Sequence, residues 1–270
     1  MAAEIATPFS ILIMPQVDFA ELTDTGCVRE HNEDAIASWP FADGLLFAVA
    51  DGLGGAAAGE VASTFALDVL RTESTRTPPG PSVAKVLRQA VHQANLKLYQ
   101  RAIAVPELRG MATTLTATTL TGNTLVAAHV GDSRLLLLRD GALRQLTKDH
   151  TWVAQQMQYG LLSAAQARVH PNRHMLTRSL GRELLVSVDV LTLTVQPGDL
   201  LVQCSDGIHG AIADDELAEL VRDRDPASGC QTLIERARDA GAPDNASVQI
   251  AIVTDCEPAA PARRWWRGWR

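Results

Sequence analysis

Aspartates that flank apolar segments are the residues of this chain whose type and spacing could perform chemistry. In the segment LLFAVADGLGG, an apolar run ends at Asp51, and the glycines beside it would let other groups approach the backbone. The arrangement recurs at Asp34, Asp132, Asp206 and Asp244. Carboxylates without a histidine or cysteine pattern favour hard divalent cations, so the sequence predicts a magnesium or manganese site. A single Asp-Gly pair after a strand is also typical of an ordinary turn, and it is the recurrence that favours a site.

The composition of the 270 residues, 46% of them hydrophobic, is typical of one large domain or two small ones. The formal net charge of −7 argues against a nucleic-acid-binding protein, which would carry a basic face. Four scattered cysteines without metal-ligand spacing indicate free thiols in a reducing cytoplasm. We read no signal peptide, and no run approaches the ~20 apolar residues that span a bilayer, so we expect a cytoplasmic protein.

The aspartates need elements that bring them together, and the hydrophobic periodicity predicts both strands and helices. Alternating or continuous apolar runs predict strands at about 17–23, 35–39, 45–50, 111–120, 124–130, 134–139, 142–147, 184–194, 200–204 and 246–254. Apolar residues at helical spacing predict helices at about 59–71, 83–103, 214–222 and 226–240, and a breaker-rich loop at 72–81. The turns Gly122-Asn123 and Asp140-Gly141 indicate that the central strands form an antiparallel meander.

Antiparallel strands combined with helices that arrive in pairs predict an α+β fold. The expected architecture is a four-layer αββα sandwich, in which two antiparallel sheets lie face to face and helix pairs flank them. A polar, partly helical excursion at about 148–178 interrupts the strands, and excursions of roughly 30 residues are often functional. The expected domain covers residues 16–255, after an N-terminal extension at 1–15 and before an Arg/Trp-rich tail at 256–270.

Short motifs around the aspartates occur in an order that is typical of a known family. They are DTGCVREHNED at 24–34, DGLGG at 51–55, MATT at 111–114, GDSR at 131–134, LTKDH at 146–150, SDG at 205–207 and DNAS at 244–247. Over about residues 17–254, the chain resembles the metal-dependent Ser/Thr protein phosphatases of type 2C, specifically their compact bacterial branch. Each motif is common alone, and their shared order carries the resemblance.

The resemblance implies a binuclear centre for Mn²⁺ or Mg²⁺ at one end of the two sheets. Asp51 would bridge the two cations, with the backbone carbonyl of Gly52 on one of them. Asp206 and Asp244 would be direct ligands of the other cation, and Asp132 would help to hold a weaker third. The excursion at 148–178 would be the family's flap beside the active site.

The resemblance also implies catalytic and supporting residues. Asp34, helped by Glu33, would act on the metals through water. Asn245 would hold the ligand residues in place without binding a metal itself. Arg29 would bind the substrate phosphate, since a planar guanidinium fits two phosphate oxygens at once. The implied reaction is hydrolysis of phosphoserine and phosphothreonine by direct attack of a water that bridges the two cations, because such a water loses its proton easily.

Four positions depart from the family pattern. Ala56 and Ala112 replace a histidine and a glycine, which is tolerable, and the other two bear on the chemistry. Leu53 stands where some members carry a histidine proposed as the proton donor, so the donor would be a metal-bound water, His150 or His174. Gly210 stands where many relatives carry an acid for the third cation, which weakens that site and leaves the bridging pair intact.

Other functions and partners follow as expectations. A catalytically weak, phosphoprotein-binding pseudo-phosphatase and a phosphoesterase for a non-protein substrate are the alternatives to an active protein phosphatase. The expected partners are phosphorylated proteins and a cognate Ser/Thr kinase. We expect no nucleic-acid partner, and we expect the enzyme to be a monomer. The tail alternates Arg263, Arg264, Arg267 and Arg270 with three tryptophans, which suits weak contact with an anionic membrane or a partner, or a tail without function.

Overall fold

Two antiparallel sheets form the centre of the computed structural model, which describes residues 16–54, 57–76 and 82–256. The first sheet contains, in order across it, β1 (Gln16–Asp24), β11 (Ala246–Asp255), β10 (Leu200–Cys204), β7 (Arg134–Arg139) and β8 (Ala142–Gln145). The second contains β2 (Asp34–Phe41), β3 (Gly44–Leu53), β5 (Leu115–Thr121), β6 (Thr124–Val130) and β9 (Asp189–Thr194). The short β4 (Ala112–Thr113) also pairs with β3.

Helices cover the outer face of each sheet, because both outer faces are apolar. The long helices α1 (Ala57–Arg76) and α2 (Val83–Ala104) share a buried core with the second sheet. The helices α6 (Asp214–Val221) and α7 (Pro226–Asp239) share another with the first sheet. Shorter helical turns are Pro106–Leu108, α3 (Trp152–Gln158), α4 (Ala164–Val169) and α5 (Asp206–His209). The layers therefore run helices, sheet, sheet, helices, and the predicted αββα sandwich is confirmed.

The layer between the sheets is apolar except for a buried amide network. Gln203 and Gln249 lie opposite each other on β10 and β11, and Nε2 of Gln203 donates to Oε1 of Gln249 at 2.9 Å. Gln203 also donates to the carbonyl of Thr116 at 3.2 Å and accepts from the hydroxyl of Thr118 at 2.6 Å, both on the second sheet. Because these amides are fully buried, their hydrogen bonds must be satisfied within the protein, and they connect the two sheets directly.

Three predicted boundaries were wrong. Helix α1 continues to Arg76 rather than ending near 71, because Thr72 and Thr75 donate their hydroxyls back to carbonyls of the same helix at 2.9 and 2.8 Å. The strand predicted to begin at Leu184 begins at Asp189, because Asn95 of α2 holds the carbonyls of the preceding segment at 3.0 and 3.1 Å. The strand predicted at 111–120 breaks at Thr114 into β4 and β5.

The terminal segments predicted at 1–15 and in the tail beyond residue 256 lie outside the described residues. Within the described part of the chain, no helix has the length and apolar character needed to cross a bilayer.

Candidate active site

The five aspartates that the sequence singles out lie together at one edge of the sandwich. Asp34 and Asp51 lie opposite each other on β2 and β3 of the second sheet. Asp206 begins α5, two residues after the end of β10, and Asp244 lies just before β11, and both of these strands belong to the first sheet. Asp132 lies in the connection from β6 to β7, where the chain passes between the sheets. The negative charges of the other four all act on the carboxyl of Asp51, so both sheets supply acidic groups to one site.

Burial and mutual repulsion disfavour negative charge on three of these carboxyls. Burial raises the pKa of Asp34 to about 7, even though hydrogen bonds from serine hydroxyls lower it. Burial, followed by the charge of Asp206, raises the pKa of Asp132 to about 8. Burial and the charge of Asp34 raise the pKa of Asp51 well above its ordinary range. A group of buried carboxyls that repel one another is stabilised as anions only when cations join it.

Asp206 differs from these three because a histidine of the flap, residues 148–178, lies beside it. Nδ1 of His174 is 3.3 Å from Oδ2 of Asp206. Burial raises the pKa of Asp206, but the contact with His174 and the nearby His209 and Arg29 outweigh it, so the pKa lies below its ordinary value. The same contact raises the pKa of His174. The flap therefore reaches the acidic centre.

The donor set of the centre fits hard divalent cations, since it consists of carboxylate and backbone oxygens. In residues 16–54, 57–76 and 82–256, no three acidic, histidine or cysteine side chains converge tightly enough to enclose one ion alone. Magnesium usually keeps several water ligands and takes only one or two carboxylates, so such an open arrangement suits it. The charges of the other four aspartates all act on Asp51, which agrees with a central position of its carboxyl among them.

Gly52 lets the backbone of β3 lie against two other segments. A β-carbon at this position would be 2.2 Å from the carbonyl oxygen of Gly59 and 2.5 Å from that of Glu33. The Gly52 N–H donates to that Glu33 carbonyl at 3.1 Å. No side chain fits, and the backbone beside Asp51 is thereby fixed by contacts that only glycine permits.

The loop that leads into β2 places Arg29 at the rim of the site. Nη2 of Arg29 donates to Oδ2 of Asp244 at 2.8 Å, and the arginine side chain is 47% exposed. The guanidinium has five N–H donors, so those not used on Asp244 can reach a phosphate that enters from solvent.

Asn245 holds this loop in place from the first sheet. Its Oδ1 accepts from the N–H of Glu33 at 2.8 Å, and its Nδ2 donates to the carbonyls of Thr25 and His31 at 2.8 and 2.9 Å. Asn245 is buried and contacts both ends of the loop. It therefore fixes the position at which the loop joins Asp34 and the position in which the loop holds Arg29.

The sequence profile of the family described as protein phosphatase 2C matches residues 28–247, most of the folded chain. This chain belongs to the protein phosphatase 2C family. Serine/threonine protein phosphatase PstP of Mycobacterium tuberculosis is 39% identical over 238 residues, which is 88% of this chain and 45% of PstP. Serine/threonine phosphatase stp of Listeria monocytogenes is 35% identical over 233 residues, 84% of this chain and 92% of stp. The chain thus spans about half the length of PstP and nearly all of stp.

Solved structures of bacterial phosphatases share the fold of this protein phosphatase 2C member. The structure of Mycobacterium tuberculosis PstP/Ppp superposes with a TM-score of 0.82 at 36% identity, covering 88% of this chain and 99% of that one. The catalytic domain of PstP in complex with two manganese ions gives a TM-score of 0.79 at the same 36% identity, covering 88% of this chain and 99% of that one. Staphylococcus aureus Stp1 gives 0.85 at 28% identity, covering 93% of this chain and all of Stp1.

The structure of this family member brings every predicted site residue to the same region. These residues are Arg29, Glu33, Asp34, Asp51, Gly52, Asp132, Asp206, Asp244 and Asn245. Their roles as ligands or catalytic groups stay predictions. At Gly210, the backbone N–H donates to the carbonyl of Asp206 at 2.7 Å, so this position closes the turn of α5 and adds no acid to the centre.

Hydroxyl groups that sequence reasoning missed position two of the aspartates. The N–H of Asp51 donates to Oγ1 of Thr114 at 2.9 Å, and the hydroxyl of Thr113 donates to the carbonyl of Asp51 at 2.9 Å. The hydroxyl of Ser205 donates to Oδ2 of Asp34 at 2.6 Å and accepts from the N–H of Ser247 at 3.0 Å. All three hydroxyl residues fall in motifs of the family, but nothing in their local sequence indicates these distant partners.

The two histidines predicted as proton-donor candidates occupy different environments. His150 is buried, its Nδ1 accepts from the N–H of Gly131 at 3.1 Å, and its Nε2 lies 3.2 Å from Asp189. It therefore anchors the base of the flap. His174 is largely exposed and touches Asp206, so it is the candidate that lies in the site. His129 is also buried, as its alternation within β6 predicts.

Proposed function

We propose that this chain is a metal-dependent protein phosphatase that hydrolyses phosphoserine and phosphothreonine in other proteins. The observation that carries the proposal is the convergence of carboxyls from both sheets on Asp51, with Arg29 at the rim. Membership of the protein phosphatase 2C family and the names of the relatives support the same reaction and substrate class.

The geometry and the family membership support the following set of cation-binding residues. Asp51 would bridge two Mn²⁺ or Mg²⁺ ions, helped by the carbonyl of Gly52, and Asp206 and Asp244 would complete the pair. Asp34, with Glu33 beside it, would act through water, and Asp132 would help a weaker third ion. When bound, the cations would lower the pKa of water and neutralise charge on the phosphoryl group.

The protein's own groups would orient the substrate and hold the site rigid. Arg29 would bind the phosphate oxygens while Asp244 keeps its guanidinium in position at 2.8 Å. Thr114 would fix the backbone of Asp51 and Ser205 the carboxyl of Asp34, so that the site is preorganised for the reaction. His174, which lies at the centre and is exposed to solvent, would donate a proton to the leaving serine or threonine oxygen.

Phosphate release from phosphothreonine and phosphoserine peptides tests the function. The reaction is run with manganese, with magnesium and with a chelator, on the parent chain, on Asp206→Asn and on the matched control Asp68→Asn, which alters an exposed aspartate of α1. We expect metal-dependent turnover that Asp206→Asn reduces by at least about 100-fold. Mutation of residues that only hydrogen-bond to metal ligands already lowers metal affinity or activity by about 10–100-fold. Asp68→Asn should behave as the parent.

The two alternatives predict other results in the same experiment. A pseudo-phosphatase would bind phosphopeptides without turnover while remaining folded and loaded with metal. A phosphoesterase for non-protein substrates would hydrolyse small phosphate esters and leave both peptides intact.

We further propose that the protein acts in the bacterial cytoplasm, as a monomer, in signal transduction that reverses a cognate Ser/Thr kinase. The kinase would phosphorylate the same serines and threonines that this chain dephosphorylates. The Arg/Trp-rich tail, which lies outside the described residues, would give weak affinity for anionic membranes or for a partner. Equal liposome binding of the chain with and without residues 258–270 would refute the membrane role.

A further inference from the structure

The segment from residue 150 to residue 182 has an unusual charge for this protein. It contains Arg168, Arg173, Arg178 and Arg182, and neither aspartate nor glutamate. The whole chain carries −7, so the residues outside this basic segment carry a formal charge of −11. The basic segment comprises most of the flap and the residues that follow it, and its formal charge is opposite in sign to that of the rest of the chain.

The basic segment is attached directly beside the acidic centre. The N–H of Trp152 donates to the carbonyl of Met175, and the N–H of Thr177 to the carbonyl of His150, both at 2.8 Å. These bonds join the two ends of the flap, and the returning chain brings His174 to 3.3 Å from Asp206. A peptide that places a phosphate in the centre must therefore pass beside the flap.

Most of the positive charge of the basic segment is available to a ligand. Arg178 is already used, because its Nη1 donates to Asp189 at 2.9 Å at the base of the flap. Arg168, Arg173 and Arg182 are exposed, and no carboxylate of the described residues pairs with any of them. Arg173 directly precedes His174, and its positive charge acts on that imidazole, so one unpaired arginine lies near the histidine that contacts Asp206.

We propose that the basic segment is a subsite for anionic side chains that flank the scissile phosphoresidue, either carboxylates or a second phosphate. The proposal rests on the phosphatase function and names the substrate class of that site. The residues outside the basic segment carry a formal excess of negative charge, which disfavours an acidic peptide, and the arginines offset this effect where the peptide enters. Guanidinium groups suit the task because they bind carboxylates and phosphates alike in a bidentate manner.

The test compares three phosphothreonine peptides of equal length, flanked by glutamines, by glutamates or by a second phosphothreonine. The enzymes are the parent, the flap variant Arg168→Gln/Arg173→Gln and the matched control Arg88→Gln/Arg144→Gln, which removes two exposed arginines elsewhere. We expect the parent to prefer the two anionic peptides in kcat/KM. The flap variant should lose about fivefold of that preference, as expected for two exposed charge contacts, and added salt should erase it in the parent. The control variant should keep it.

The proposal would be overturned if kcat/KM of the flap variant fell equally with all three peptides. It would also be overturned if the flap variant kept the parent's preference for the anionic peptides. Binding of the parent to vesicles with anionic lipid, lost in the flap variant while the peptide preference stays constant, would assign the segment to a membrane and overturn it as well. Absence of turnover with every peptide would be a failure of the proposed function, and fluorescence anisotropy of labelled peptides on the parent and the flap variant would then decide the subsite alone.

Discussion

The substitution Asp34→Asn should stabilise the metal-free protein at neutral pH while it impairs the enzyme. Asp34 is 9% exposed, and Oδ2 accepts from the hydroxyl of Ser205 at 2.6 Å. Asparagine keeps an oxygen that can accept this hydrogen bond, but it has no charge. The substitution therefore removes the cost of a buried anion that lies close to Asp51, Asp206 and Asp244.

The sign and the size follow from the pKa of Asp34, which burial raises from 3.8 to about 7. The native state binds a proton that the unfolded chain has already released between these two values. Stability is therefore fully present below pH 3.8 and is lost as the pH rises towards about 7. The difference corresponds to about 4 kcal/mol in total, of which about 3 kcal/mol is lost between about pH 4.5 and 7.5.

Urea unfolding in chelator at about pH 4.5 and 7.5 measures this effect. We expect the parent to lose at least about 3 kcal/mol more than Asp34→Asn over the interval, because the variant lacks this titration and the charge of Asp34 no longer raises the pKa of Asp51. Manganese at pH 7.5 should stabilise the parent more than the variant, since it binds the native state of the parent more tightly. A variant that is less stable than the parent at pH 7.5 in chelator, or that shows the same pH dependence, would refute the reasoning.

Three further changes test other parts of the structure. Arg29→Ala should lower kcat/KM on phosphopeptides by about 10–100-fold, because hydrogen bonds to charged groups contribute about 1.5–3 kcal/mol. Arg29→Lys should recover only part of the lost activity, since lysine lacks the planar fork of donors. Full activity in either variant would exclude Arg29 from phosphate binding. Gly52→Ala should lower the free energy of unfolding by about 1–3 kcal/mol or more, since the new methyl would overlap the carbonyl of Gly59, and an unchanged melting curve would contradict that packing. Burial lowers the pKa of His129 from 6.5 to about 4, so the folded protein should lose about 3 kcal/mol of stability as the pH falls from 6.5 to 4. In urea unfolding, His129→Gln should weaken this pH dependence. A pH dependence that is unchanged in the variant would assign the titration to another group.

The sequence was sufficient to predict the acidic centre, because each aspartate is marked by a local pattern. Asp51 follows an apolar strand and precedes a glycine, and Asp206 repeats that pattern. The alternative of an ordinary turn at Asp51 and Gly52 was wrong, since both residues lie within β3. The layer order was also predictable, because paired helices and antiparallel strands leave few ways to bury their apolar faces.

The groups that position the aspartates could not be predicted, because their roles depend on contacts between distant parts of the chain. Thr114 is 63 residues from Asp51, and Ser205 is 171 residues from Asp34. Threonine and serine at strand ends are common, and only the folded structure shows that Thr114 meets the backbone of Asp51 and Ser205 the carboxyl of Asp34. Asn95 is a similar case, since its amide fixes the start of β9 from a helix 88 residues earlier.

The amide network between the sheets sets how accurately the active site can be assembled. Asp34 and Asp51 belong to the second sheet, whereas Asp206 and Asp244 lie beside strand ends of the first, so a small slide of one sheet over the other would separate the two pairs. Apolar side chains alone tolerate such a slide, because dispersion and burial have little directionality. The hydrogen bonds from Gln203 to both sheets permit a single offset. Replacing Gln203 by leucine should therefore lower metal affinity as well as folding stability, because it leaves the buried hydroxyl of Thr118 without its acceptor and removes the bonds that align the two halves of the site.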